Sequence, residues 1–245
     1  MTENLPFIEG AYLQDVLDQP RAIRDTASAL ASAHEVNQFA KGLRPGSYQK
    51  IVLTGMGGSL HVLNPLYLKL VELGFVVVMA ETSELVHFMP RLLDDSTLLI
   101  VVSQSGRSAE IVRLLTLATK RAKILGVTND SESPLAQQSD VLALIQAGAE
   151  ASVSCKTTTA SLAALAWIGN QIAGEDEART RDHLEQSALA VNRYLALWRA
   201  HAQGERRTTR CPSLFRNWPG FFDGRRRHRR DDHERGGTLP LRGLR

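Results

Sequence analysis

The stretch Leu98-Leu99-Ile100-Val101-Val102-Ser103-Gln104-Ser105-Gly106-Arg107-Ser108-Ala109-Glu110 decides the fold. Its first five residues are aliphatic without a polar interruption, the pattern of a strand buried on both faces. A polar turn follows, and from Arg107 to Lys120 apolar residues recur at helical spacing. A strand that runs through such a turn straight into an amphipathic helix reads as half of a strand–helix–strand crossover, the unit of a parallel sheet.

The same rhythm extends in both directions. Further strands are expected at Ile51–Thr54, Phe75–Met79, Ile124–Val127 and Val141–Ile145, with helical stretches at Leu60–Leu73 and, more weakly patterned, Ser83–Leu93. Five short strands alternating with helices predict an α/β domain: a doubly wound, five-stranded parallel sheet of flavodoxin-like character with helices on both faces. Residues 11–40 read as helix, broken or begun at Pro20, and Ser161–Ala173 and Glu175–His201 as a small-residue helix and a longer polar one. The chain therefore divides into an N-terminal helical segment (1–39), the α/β domain (40–175), a helical extension (176–205) and an irregular tail (206–245). No internal repeat is present.

Composition narrows the class. A hydrophobic fraction of 43% over 245 residues can supply a real core. No apolar run approaches the roughly 20 residues that span a bilayer, so no membrane partner is expected. The start, Met1-Thr2-Glu3-Asn4, does not read as a secretory signal. Two cysteines, Cys155 and Cys211, without metal-ligand spacing fit a reducing cytoplasm. The net charge of +3 is uneven: residues 206–245 hold 12 of the 29 basic residues, all Arg, and 4 of the 26 acidic ones. The tail is thus +8 and the body, with 17 basic and 22 acidic residues, −5.

In an open parallel sheet, ligands bind beyond the carboxyl ends of the strands. The first strand runs into Gly55-Met56-Gly57-Gly58-Ser59. Glycines let the backbone turn tightly and approach a ligand, and a following helix offers free N–H groups to an anion. The turn lacks the lysine of a P-loop and the full dinucleotide spacing. The third strand ends in three hydroxyls and an amide, Ser103, Gln104, Ser105 and Ser108, which can surround a phosphate with neutral donors and the helix dipole. One serine would serve as a helix cap; three with a glutamine exceed that need. Thr128-Asn129-Asp130 and Ser133 after the fourth strand suit ligand contact and ordinary turn chemistry equally. After the fifth strand, Glu150 reads either as a partner for a sugar hydroxyl or amine or as a solvated loop acid, and Lys156 is no more decisive.

The order Gly-x-Gly-Gly-Ser, Ser-Gln-Ser-Gly, Thr-Asn-x-x-x-Ser and Glu-x-x-Val-Ser resembles the SIS (sugar isomerase) domain. The nearest subgroup is the isomerase half of glucosamine-6-phosphate synthase with the related aminosugar-phosphate deaminases and deglycases. Leu17-Asp18-Gln19-Pro20-Arg21-Ala22 is similar to the Glu-Gln-Pro segment that opens that half, and Ser83-Glu84-Leu85 to its Ser-Glu-Phe segment. The resemblance covers about residues 12–200. It implies that Ser59, Ser103, Gln104, Ser105 and Ser108 hold a phosphate, with Gly57 and Gly58 shaping the turn, and that Val153 and Ser154 line the sugar. It implies a sugar-phosphate ligand, an isomerase or deaminase lineage, no metal or nucleotide cofactor, and a homodimer. Two departures stand out. The family's small Gly-Thr-Ser turn is here Gly55-Met56-Gly57-Gly58-Ser59, and Lys156 falls one residue earlier than in the family pattern.

Members of the subgroup carry two such domains, and the resemblance places their main acid–base groups in or after the second. Moving a proton between C1 and C2 of a sugar needs such a group, and residues 40–175 offer only His61 and His87 as candidates of little weight. Near residue 206, Arg210-Cys211-Pro212-Ser213-Leu214 faintly matches the turn of a second domain before the pattern dissolves into arginines. This predicts a truncated or frameshifted second domain, testable by reading the gene in its other two frames beyond codon 210. The competing readings are a binding-only or inactive fragment, a sugar-phosphate-sensing regulator, and a tail that binds nucleic acid through arginine–phosphate contacts. Residues 1–45 show no helix-turn-helix, which makes nucleic acid the least supported partner.

Overall fold

Five parallel strands form one sheet in the computed structural model, which describes residues 10–200 apart from 119, 120 and 152. The strands are β1 (Lys50–Gly55), β2 (Val77–Glu81), β3 (Thr97–Val102), β4 (Lys123–Thr128) and β5 (Val141–Leu144). Their order is β2-β1-β3-β4-β5, all pairs parallel. This is the doubly wound, flavodoxin-like order that the alternation of strands and helices predicts. The expected tail and its possible second-domain remnant lie outside the described residues.

β3 is central, and every residue in it is buried. Its side chains alternate between two cores as the strand period requires. Leu98, Ile100 and Val102 point to one face with Ile51 and Leu53, while Leu99 and Val101 point to the other with Val52. The first face is covered by α2 (Gln19–Ala31), α3 (His34–Gly42), α5 (Asn64–Glu72) and α9 (Lys156–Ile172). The second is covered by α6 (Thr82–Phe88), α7 (Ala109–Ala118) and α8 (Pro134–Gln138). The short α1 (Ala11–Leu17) precedes α2, the single-turn α4 (Gly58–His61) follows β1, and α10 (Glu177–Ala196) packs on α2. α10 starts at Asp176, whose carboxylate accepts the N–H groups of Ala178 and Arg179 at 2.8 and 3.1 Å. Arg24 of α2 then grips Glu185 of α10 through two nitrogens at 2.8 and 2.9 Å.

Among the expected boundaries that move, three have a clear local reason. The helix expected over Leu60–Leu73 divides into α4 and α5, because Pro65 has no N–H to continue the ladder. The second strand starts at Val77, not Phe75: Gly74 is left-handed (φ 86°) and the Phe75 N–H donates to the Leu70 carbonyl at 3.0 Å, closing α5. The helix expected from Ser161 begins at Lys156, five residues earlier; its cap comes from Glu150, as described below. Deep in the first core, Trp167 of α9 is fully buried, and its indole N–H donates to Asn37 Oδ1 at 2.8 Å. Asn37 in turn donates to the Leu30 carbonyl at 2.8 Å. No helix among the described residues is long and apolar enough to cross a membrane.

Candidate functional site

The carboxyl ends of the strands line up four turns along one edge of the sheet. β1 lies between β2 and β3, so the crossover after β1 runs to one side and the crossover after β3 to the other, and a crevice opens where they part. Gly55 stands opposite Val102 in the register. The glycine turn after β1 and the serine turn after β3 are therefore neighbours across that crevice. The turns after β4 and β5 continue the row, since β4 and β5 follow β3 in order.

The glycine turn is tight by necessity. A Cβ on Gly55 would come within 2.8 Å of the Ser59 backbone, closer than a side chain tolerates. Gly57 and Gly58 are exposed, Ser59 is half-buried, and the Ser59 hydroxyl makes no hydrogen bond to the described residues. The Gly57 N–H donates to Glu81 Oε1 at 3.3 Å. Below this, the hydroxyls of Thr54 and Thr82 meet at 3.1 Å and tie the ends of β1 and β2 together. Glu81 carries no mark of this role in the sequence, because its partner is a backbone group 24 residues away.

The serine turn organises itself. Ser103 Oγ accepts the Gly106 N–H at 3.1 Å, Ser105 Oγ accepts the Arg107 N–H at 3.4 Å, and Ser108 Oγ accepts the Ile111 N–H at 3.4 Å. Each hydroxyl oxygen is thus held by a backbone donor, and each hydroxyl proton is left to donate elsewhere. Ser108 is also the cap of α7, whose first N–H groups lack intrahelical partners and carry the positive end of the helix dipole. Gly106 is left-handed (φ 60°), and a Cβ there would overlap the Ser133 side chain. The Gln104 carbonyl accepts from the Asn129 N–H at 3.1 Å and from Thr128 Oγ1 at 3.2 Å, while its side-chain amide makes no hydrogen bond to the described residues. Arg107 pairs with Asp130 at 2.7 Å, spanning the turns after β3 and β4; each partner holds the other's charge, and Asp130 lies below the ordinary carboxylate range.

After β4, the two readings of Asn129 and Ser133 part in favour of structure. Asn129 donates to the Gly148 carbonyl at 2.8 Å and accepts the Ala147 N–H at 3.1 Å, clamping the loop after β5. Ser133 caps α8 through the Ala136 N–H at 3.1 Å.

The loop after β5 is built from outside itself. Glu150 Oε1 accepts the Cys155 and Thr157 N–H groups at 2.6 and 3.3 Å, and Oε2 accepts the Thr157 hydroxyl. Burial raises the Glu150 carboxyl, but the donors at the start of α9 outweigh it and hold the group below its ordinary value. The carboxylate is an N-terminal cap reaching forward from a distance, which is why α9 starts early. Lys156, the first residue of α9, is buried at 5% exposure. Its Nζ lies 2.8 Å from Asp15 Oδ1 and 3.5 Å from Asp18 Oδ2. Burial works against the charged ammonium, yet the two aspartates prevail and raise it above the ordinary lysine value. Such an amine stays protonated and does not act as a nucleophile. Burial, with Glu150 nearby, likewise pushes the Cys155 thiol up, away from the thiolate. Val153 is 68% exposed, and Ser154 Oγ meets the Thr157 and Thr158 hydroxyls at 2.6 and 3.2 Å.

The structure therefore brings Gly57, Gly58 and Ser59 beside Ser103, Gln104, Ser105 and Ser108, and sets Glu150, Val153 and Ser154 on the loop that closes the row. His61 and His87 are both exposed on their helices. Asp15, Asp18, Glu81 and Asn129 complete the edge. The only trace the first two leave in the sequence is their spacing of three on one helix face.

Residues 47–168 match the SIS domain family. The chain is 31% identical over 179 residues to glutamine--fructose-6-phosphate aminotransferase (isomerizing) of Thermococcus kodakarensis, with 71% of this chain and 29% of that protein aligned. Its fold is similar to tagatose-6-phosphate ketose/aldose isomerase from Escherichia coli, with a TM-score of 0.60 and 22% identity over 81% of this chain and 57% of that one. It is also similar to the C-terminal domain of glucosamine-fructose-6-phosphate aminotransferase from Francisella tularensis, with a TM-score of 0.59 and 19% identity over 80% and 56% of the two chains. The chain spans less than a third of the length of the Thermococcus relative.

Proposed function

The chain belongs to the SIS-domain family, and from that premise we propose that it binds a phosphorylated sugar or aminosugar in the crevice between the glycine and serine turns. The observation that carries this reading is the state of the three serines. Ser103, Ser105 and Ser108 each spend their oxygen on a backbone N–H and keep a proton to give, an arrangement suited to an anion that only accepts. Ser59 and the Gln104 amide, both without a hydrogen bond to the described residues, supply further donors across the crevice. The exposed Val153 and the hydroxyl cluster around Ser154 suit the sugar end. The lineage is that of phosphosugar isomerases and aminosugar-phosphate deaminases.

Binding is better supported than turnover. Glu150 is engaged in capping, Lys156 is a buried, paired cation, and the two histidines of the α/β domain are exposed. A group to shuttle a proton between sugar carbons therefore comes, in this reading, from outside the described residues, such as the second copy in a homodimer. Titration calorimetry with glucosamine-6-phosphate or fructose-6-phosphate tests the site. Ser103→Ala combined with Ser105→Ala should weaken binding by about 100-fold or more, the loss of two hydrogen bonds to a charged group. Unchanged affinity in that double variant refutes the site.

A further inference from the structure

We propose that Asp15 and Lys156 form a latch by which helix α1, far away in sequence, sets the conformation of the sugar-facing loop 148–155. The inference rests on the reading that this loop lines the sugar. The latch makes Asp15 and Lys156 positioning residues: they govern affinity for the sugar part of a ligand while leaving the phosphate cradle alone.

The geometry is specific. Asp15 Oδ1 takes the Lys156 ammonium at 2.8 Å, and its other oxygen, Oδ2, accepts the Ala151 N–H at 2.7 Å. One carboxylate thus holds the loop at Ala151 and the helix start at Lys156, fixing the length of chain between them. Both side chains are buried, at 6% and 7% exposure. Leu13 and Asp15 are the two buried residues of α1, so the helix turns inward one apolar anchor and this one acid. Asp18 backs the lysine at 3.5 Å and is itself gripped by Arg21 through Nε at 2.7 Å and Nη2 at 2.5 Å. From inside the loop, Glu150 holds Cys155 and Thr157.

The energetics point the same way. A lysine at the first position of a helix faces the positive end of the dipole, and burial makes its charge costlier still. Such a residue is stable only where acids surround it, so Lys156 commits α9 and the loop before it to α1. The loop has few other anchors: Asn129 holds its start at Ala147 and Gly148. The hydroxyls of Ser103, Ser105 and Ser108 make no hydrogen bond to Asp15 or Lys156, and each accepts a backbone N–H within three residues. The two halves share Asn129, whose N–H donates to the Gln104 carbonyl and whose side chain holds Ala147 and Gly148, while the latch acts on the loop after β5.

The test compares the full-length chain with Asp15→Ala and with Asp15→Ala combined with Lys156→Met, the second variant leaving no orphaned buried charge. Amide hydrogen exchange is read without ligand, and calorimetry is run with inorganic phosphate and with glucosamine-6-phosphate. In the double variant, exchange at residues 149–155 should accelerate by about tenfold or more while the strands keep their protection. Inorganic phosphate should bind within about twofold of the parent chain, and glucosamine-6-phosphate about tenfold more weakly, as expected when a positioning loop loosens. Unchanged exchange at 149–155 overturns the latch whatever the chain binds. Equal losses for the two ligands overturn it too, since they mark general destabilisation. A parent chain that binds neither ligand sinks the site reading and the affinity part of this proposal, and the exchange result still decides whether α1 holds the loop.

Discussion

The serine turn after β3 and the loop after β5 lie on the same edge of the sheet but are stabilised in opposite ways. In the first, Ser103, Ser105 and Ser108 bond to Gly106, Arg107 and Ile111, never more than three residues away. In the second, Ala151 and Lys156 are held by Asp15 and Asp18, 136 and 138 residues distant. A turn closed by its own side chains is specified wherever its sequence occurs after a strand. A loop held by a remote helix exists only once the domain has assembled. In the proposed site, the contrast leaves the phosphate end to local chemistry and the sugar end to tertiary structure.

The largest effect belongs to the self-supporting turn. Removing both Ser103 and Ser105 hydroxyls should abolish measurable sugar-phosphate binding in calorimetry, while circular dichroism shows the fold intact. Next comes Gly106→Ala. The left-handed backbone and the overlap with Ser133 should destabilise the domain by about 2–4 kcal/mol, which thermal melting would register as a fall of several degrees. A chain that melts like its parent would show that this turn is less rigid than its hydrogen bonds imply. Asn129→Ala removes two bonds to the loop after β5 and should cost about 1–2 kcal/mol. If the two regions are independent, it should also weaken sugar-phosphate binding more than inorganic phosphate. The smallest effect is expected for Arg107→Ala, whose ion pair with Asp130 is solvent-exposed; the melting temperature should move by no more than about 2 °C.

Acidity separates the regions as well. Asp15 titrates below its ordinary value of 3.8, first because Lys156 hydrogen-bonds to it. Its contribution is therefore complete above that value and is lost as pH falls through the lower folded one. Lys156 titrates above its ordinary 10.5, so its contribution is complete below that pH and fades only as pH rises through the folded value. Relative to the intrinsic exchange rate at each pH, the protection of residues 149–155 should accordingly stay constant between about pH 5 and 10 and fall outside that window. The serine turn contains no group that titrates in that range, because its flanking ion pair holds Asp130 below it and Arg107 above it, and its exchange should follow only the global stability.

Much of the architecture was legible in the chain. The five strands show as aliphatic runs because a parallel sheet buried on both faces admits little else. Their order then follows from right-handed crossovers and the doubly wound rhythm. The boundary errors trace to residues whose role is set by partners: Phe75 closes a helix instead of opening a strand, and α9 starts at Lys156 because Glu150 reaches forward to cap it. Glu150 read as a loop acid or a sugar ligand, since a lone glutamate in a polar loop carries no mark of where its oxygens will go. Lys156 read as undecided for the same reason, and only burial between two aspartates gives it a task.

By itself the sequence determined the sheet, the glycine turn and the serine turn after β3, because aliphatic patterning and short-range hydrogen bonds are properties of contiguous residues. The tertiary structure alone decided the shape of the loop after β5 and the fate of its charges. There the partners come from a helix at the other end of the domain, and burial, not spacing, makes a lysine and an aspartate depend on each other.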